Sequence, residues 1–176
     1  TDKIATIIPG LQINFGAVEF RAVQLRNAFS EFAHSVPFYF TLGNHEAEYR
    51  YVYDADRTAA KNSNQSSWNL IARKLYYPTP VPDSFYSASA ETRQISGKDE
   101  LLENYYAWEW GNALFIVIDP YMYSKTKPAW GWSLGKTQYD WLKNTLSTSK
   151  AKFKFVFSHQ LVGGSGTEGR GGSEFA

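Results

Sequence analysis

Asn44 and His45 stand side by side directly after Gly43, where an apolar run, Pro37–Leu42, comes to an end. His159 stands just past a second such run, Phe153–Phe157, and Asp119 just past a third, Leu114–Ile118. An amide oxygen and an imidazole nitrogen, backed by carboxylates, suit a borderline divalent metal such as Zn, Fe or Mn. An Asn next to a His at a sharp turn can divide labour, one holding a metal while the other meets a substrate oxygen. Asp119 is expected to be structural, or to support a ligand, rather than to ligate. His34 closes a helical pattern and is read as satisfying its last carbonyls. The chain has no Cys, which removes disulfides and thiolate sites and leaves His, Asn and carboxylate chemistry.

The elements that must position these groups follow from periodicity. Pro37–Leu42 has the aromatic, β-branched and aliphatic make-up of a strand covered on both faces, and Gly43 lets the backbone turn sharply after it. Upstream, Val18, Ala22, Leu25, Phe29 and Phe32 predict an amphipathic helix from Val18 to about Ser35. Residues 47–67 are polar and irregular, and a helix is expected from Ser67 to about Leu75, carrying Trp68, Ile71, Ala72 and Leu75. Pro78, Pro80 and Pro82 then forbid helix and give an extended surface segment. Tyr105–Trp110 and Ala113–Ile118 read as a hairpin turning at Gly111-Asn112.

A helix follows from Gly135 to about Ser147, with Tyr139, Leu142 and Leu146 as its buried stripe and Trp141 beside it. Phe153–Phe157 is the last strand, and a glycine-rich tail with Arg170 follows it. The strand–helix–strand order around Ala113–Phe157 favours parallel neighbours, which brings the polar strand ends to one edge of the sheet. In open α/β sheets that edge is where sites are built.

Composition narrows the class. At 176 residues, with 43% hydrophobic and 20% charged, the chain is sized and composed for one globular domain. A net charge of +1 carries no nucleic-acid footprint. There is neither a bilayer-spanning apolar run nor a signal-peptide pattern, and the compartment is not readable. Thr1 is not an initiator Met and nothing closes the glycine-rich tail, so the expectation is an internal segment of a longer protein. Asn64-Gln-Ser66 matches a glycosylation sequon by pattern. Tyr51, Trp130 and Trp132 are speculative substrate walls, and Arg170 is read as a solvated loop cation.

Gly43-Asn44-His45-Glu46 after an apolar strand resembles the Gly-Asn-His-Asp/Glu motif of the calcineurin-like metallophosphoesterases, purple acid phosphatases among them. Tyr105–Asp119 resembles that family's hairpin, Gly135–Leu142 its next helix, and Phe155-Val-Phe-Ser-His159 the strand that delivers its next metal-binding His. The resemblance implies an α/β fold, a layered β-sandwich flanked by helices, incomplete here. Residues 1–176 would be the central part of one such domain. It implies Asn44 and His159 as metal ligands, and His45 as the group that protonates the leaving alkoxide or orients the phosphate. His45 as an imidazolium beside a dianionic phosphate would have a raised pKa.

Two metal ions (Fe, Zn or Mn) would bridge a hydroxide that attacks the phosphorus of a small-molecule phosphoester, monoester or diester. The family's Asp-x-His, its Gly-Asp block and its final Gly-His-x-His have no match here. By family order they belong outside the segment, so the segment alone is not expected to hold two metals or turn over. The alternative is a non-catalytic module of the same fold, a binding or scaffold domain with a decayed metal site.

Overall fold

The computed structural model describes residues 14–43, 65–120 and 134–159. Helix α1 (Phe15–Ala33) starts at Asn14, whose side chain accepts from the Ala17 N–H at 3.0 Å. That bond satisfies one of the donors a helix start leaves open. The helix ends at His34, whose Nδ1 lies 3.1 Å from the Ser30 carbonyl, in line with the capping role read for it. Val18 and Ala22 are buried, but Phe32, expected in the buried stripe, is 46% exposed. The apolar contact of α1 with a second helix is made by its first half, around Phe15, Val18 and Ala22. That helix, α2 (Gln65–Tyr76), meets it around Val18, Ala22 and Ala72.

In α2 the stripe differs from the expected one. Leu75 is exposed, and Arg73 is buried in its stead. Arg73 donates to Thr79 Oγ1 at 2.9 Å, to the Glu103 carbonyl at 3.3 Å and to the Leu102 carbonyl. A guanidinium presents its donors in a fixed fork, so one side chain can serve several acceptors at a tight bend. The bend is real: Glu103 has φ 51°, a left-handed conformation that costs a non-glycine residue about 1–2 kcal/mol.

The strands are β1 (Ser87–Ala88), β2 (Thr92–Ile95), β3 (Lys98–Leu101), β4 (Tyr106–Trp110), β5 (Ala113–Val117) and β6 (Phe153–Phe157). β2 and β3 form a separate hairpin through Ser96-Gly97, both at positive φ, as a type I′ turn requires. Ile95 of this hairpin packs with Leu70 and Leu102 against α2. The larger sheet has the order β1-β4-β5-β6. The β4–β5 hairpin turns at Gly111-Asn112 as expected, with positive φ at Gly111. β5 and β6 are parallel, as the strand–helix–strand order predicts. Ile116, on the central strand, is fully buried.

One face of this sheet is covered by α3 (Gly135–Thr148), with Trp141, Leu142 and Leu146 packed on Ala107, Leu114, Ile116 and Ile118. Tyr139, expected in that stripe, is exposed, and Gln138 takes its place inside. The other face carries an aromatic row. Trp108, Phe115 and Phe155 share a register and stack at 5.1 and 5.5 Å, and Tyr39 stacks on Trp108 at 4.1 Å.

Tyr39 belongs to the segment expected to be a buried strand. Residues 37–42 are extended but pair in no ladder among the described residues. Side-chain alternation is nonetheless that of a strand. Tyr39 faces the sheet, while Phe38 and Phe40 face Phe29 of α1 at 4.7 and 5.4 Å. The architecture is mixed α/β. Among the described residues no helix is long and apolar enough to cross a membrane.

The Tyr106 hydroxyl joins this segment to the sheet by donating to the Phe40 carbonyl at 2.7 Å. Burial first, then the neighbouring Tyr39 and Tyr86, hold its pKa well above the usual tyrosine value. Tyr86, hydrogen-bonded to the Tyr39 hydroxyl at 3.0 Å, is pushed up to about 12 chiefly by that bond. Because the folded pKa of Tyr106 exceeds the unfolded one, its contribution is complete below pH 10. It is lost as pH rises toward the folded pKa. Tyr106→Phe is therefore expected to cost about 0.5–1.5 kcal/mol at neutral pH and to flatten the fall in stability above pH 10. Urea unfolding of both proteins at neutral and alkaline pH checks this, and an unchanged alkaline slope would contradict it.

Candidate functional site

Asp119 and His159 lie two residues beyond Val117 and Phe157, the last paired residues of two parallel strands. The pairing continues past the strand ends, since the Ile118 N–H donates to the Phe157 carbonyl at 3.0 Å. Equal offsets on parallel neighbours put both residues at the same level, on one edge of the sheet. His159 is exposed there and Asp119 is buried.

What fixes Asp119 is a clamp of two amide side chains, Gln138 and Asn104. Gln138, fully buried on α3, accepts from the Asp119 N–H and donates to its carbonyl, both at 2.8 Å. The amide thus extends β5 as a strand partner would. The Asp119 carboxylate in turn accepts from Asn104 Nδ2 at 2.9 Å. Asn104 follows directly on Glu103, so the left-handed bend stabilised by Arg73 also aims Asn104 at Asp119. Asp119 is thus held on both backbone and side chain.

The segment that precedes the third part of the expected constellation is described as far as Gly43. Tyr39 stacks over Trp108, while the next residue, Phe40, meets the hydroxyl of Tyr106, which pairs with the last residue of β5. The segment therefore runs toward the end of the sheet that carries Asp119 and His159. Leu42 and Gly43 are buried as it arrives. Asn44, His45 and Glu46 lie outside the described residues, as do Tyr51, Asn64, Trp130, Trp132 and Arg170.

Whether a metal would fit can be judged from the donors present. Among the described residues no group of three or more His, Asp or Glu side chains converges. His159 supplies an imidazole on an exposed strand end, and Asn104 Oδ1, buried beside Asp119, has no hydrogen-bond partner among the described residues. An acceptor left over in a buried polar cluster fits an edge built to receive a further donor or cation. The donor types agree with a borderline metal.

Gln138 and Asn104 are the site-supporting residues that sequence reasoning missed. Gln138 had a signal, because it lies four residues before Leu142 and eight before Leu146, on the helix's buried stripe. Asn104 had none. Compared with protein-family models, with curated proteins and with solved structures, the chain finds no match.

Proposed function

We propose that this chain is the central portion of a calcineurin-like metallophosphoesterase domain, one that hydrolyses a small-molecule phosphoester, monoester or diester. The observation that supports the reading is the parallel β5–β6 pair. It presents Asp119 and His159 at one level, on the edge toward which the segment ending at Gly43 runs. In the complete domain, residues 37–42 would be a strand of a second sheet laid over the Trp108–Phe115–Phe155 face, making the layered sandwich of that family.

In this reading Asn44 and His159 hold two metal ions of the Fe, Zn or Mn type together with ligands elsewhere in the full-length protein. When bound, the metal pair supplies a hydroxide nucleophile and neutralises phosphoryl charge. His45 gives a proton to the leaving alkoxide or orients the phosphate from the face opposite the attack. Asp119, clamped by Gln138 and Asn104, keeps the β5 end at the level of His159 and is a positioning residue.

The test is turnover of p-nitrophenyl phosphate and bis-p-nitrophenyl phosphate by the full-length protein, before and after chelation and with Mn²⁺ restored. The reading expects activity that chelation abolishes and Mn²⁺ returns. Turnover indifferent to chelation would contradict the metal-dependent reaction, and no turnover of either ester with Mn²⁺ supplied would favour the binding-module alternative.

A further inference from the structure

At the opposite end of the sheet from Asp119 lies an open groove of about 400 Å³, a volume within the usual range for small-molecule sites. Leu114 in its floor and Asp119 are five residues apart along β5, about 16 Å, so this groove is not part of the phosphoester site. Its floor is Ala107 and Leu114, one wall is the end of α3, and the other is the segment that enters β1.

The walls are braced. Asp83 accepts from the Phe85 and Tyr86 N–H groups at 2.7 and 2.6 Å, and Trp141 Nε1 donates to Ser87 Oγ at 2.8 Å. Ser149 Oγ donates to Glu109 Oε1, leaving the second carboxylate oxygen for a ligand. Restraint of this kind lowers the entropic cost of binding.

The chemistry of the lining selects the ligand. Among the described residues Ser84, Ser87, Thr145, Thr148 and Ser149 bring hydroxyls, Asn144 a carboxamide and Glu109 the one carboxylate, and the Lys154 ammonium beside the groove is held by the Leu146 and Ser149 carbonyls. With the nearby Lys154 ammonium committed to two backbone carbonyls and a carboxylate in the lining, the site disfavours phosphates and carboxylates. It instead offers mixed donors and acceptors to a neutral, hydroxyl-rich molecule. The exposed Phe85 ring and the apolar floor suit the C–H face of a pyranose.

An added peptide strand fits less well. The Ser89 N–H bonds the Tyr105 carbonyl, so alternation turns the polar groups of Tyr105, Ala107 and Glu109 outward. β1 takes Ala107, and on the outward side of β4 only Glu109 remains, too short an edge for strand addition. From these features we infer that the groove between β4 and the end of α3 binds a neutral mono- or disaccharide.

The test is a backbone-amide NMR titration of the full-length protein with D-glucose, N-acetyl-D-glucosamine and cellobiose. Inorganic phosphate and a short Thr-Val strand peptide serve as comparison probes. At least one sugar should give saturable shifts centred on Phe85, Glu109 and Thr145, with Kd on the order of 1–10 mM, as expected for a shallow polar site. Asn144→Ala with Thr145→Val should weaken that Kd at least about tenfold while thermal unfolding stays unchanged. Three outcomes would overturn the inference: no saturable shift with any of the three sugars, equal affinity in the double variant, or phosphate or the peptide shifting these amides while the sugars do not.

Discussion

Arg73→Met is expected to lower the free energy of unfolding by about 3–5 kcal/mol, a large share of the stability of a domain this size. The side chain is 2% exposed and donates to two backbone carbonyls, those of Leu102 and Glu103, and to Thr79. Its removal leaves these acceptors in a dry environment. The Glu103 carboxylate, 4.0 Å from the guanidinium, is left among the described residues with the Lys74 ammonium at 3.3 Å to oppose its charge. It also withdraws support from the left-handed Glu103, so relaxation of that bend should carry Asn104 away from Asp119. Arg73→Lys should rescue little, because one ammonium cannot reproduce the fork. Urea titration measures the loss. A destabilisation below about 1 kcal/mol for Arg73→Met would mean that Thr79 and water satisfy the bend unaided.

The largest expected effect on activity belongs to His45. In the proposed reaction it is the group that meets the leaving oxygen, so His45→Ala in the full-length protein should lower kcat by about 10²–10⁴-fold. Metal content should stay at the wild-type value, because His45 is not assigned as a ligand. The loss should also depend on the leaving group. A p-nitrophenolate leaves with little help from a proton, so the deficit should be smaller on p-nitrophenyl phosphate than on an alkyl phosphate. Equal turnover by wild type and variant on both esters would remove His45 from the mechanism.

How far the sequence carried depends on which force set each element. The β4–β5 hairpin, α3 and β6 came through within a residue or two, because hydrophobic period and a Gly-led turn are local signals. Parallel pairing of β5 with β6 followed from connection geometry. Where charge or amide groups were buried, apolar patterning misled. Leu75 and Tyr139 were chosen for the inside faces of α2 and α3 because they are apolar, yet Arg73 and Gln138 occupy them. Both are placed by backbone acceptors far away in sequence, which no local window contains. The Ser96-Gly97 turn was readable as a dipeptide, but its flanking strands include Arg93 and Glu100 and lack clean alternation. Residues 37–42 kept the alternation of a strand without a ladder, since pairing is non-local where composition is not. Of the site, His159 and Asp119 were legible as polar ends of apolar runs. Of the clamp that holds Asp119, only Gln138 left a trace, by its place on the buried stripe of α3.

In the proposed function the Gly43–His45 turn and the end of β6 are parts of one metal centre. Metal content of the full-length protein after equilibrium dialysis against Mn²⁺ or Zn²⁺ tests it most directly, alongside Asn44→Ala and His159→Ala. The account predicts two ions per wild-type chain, and a marked loss of affinity for at least one ion in each variant, with folding retained. Wild-type protein that retains no metal, or two variants that bind as wild type does, would contradict it.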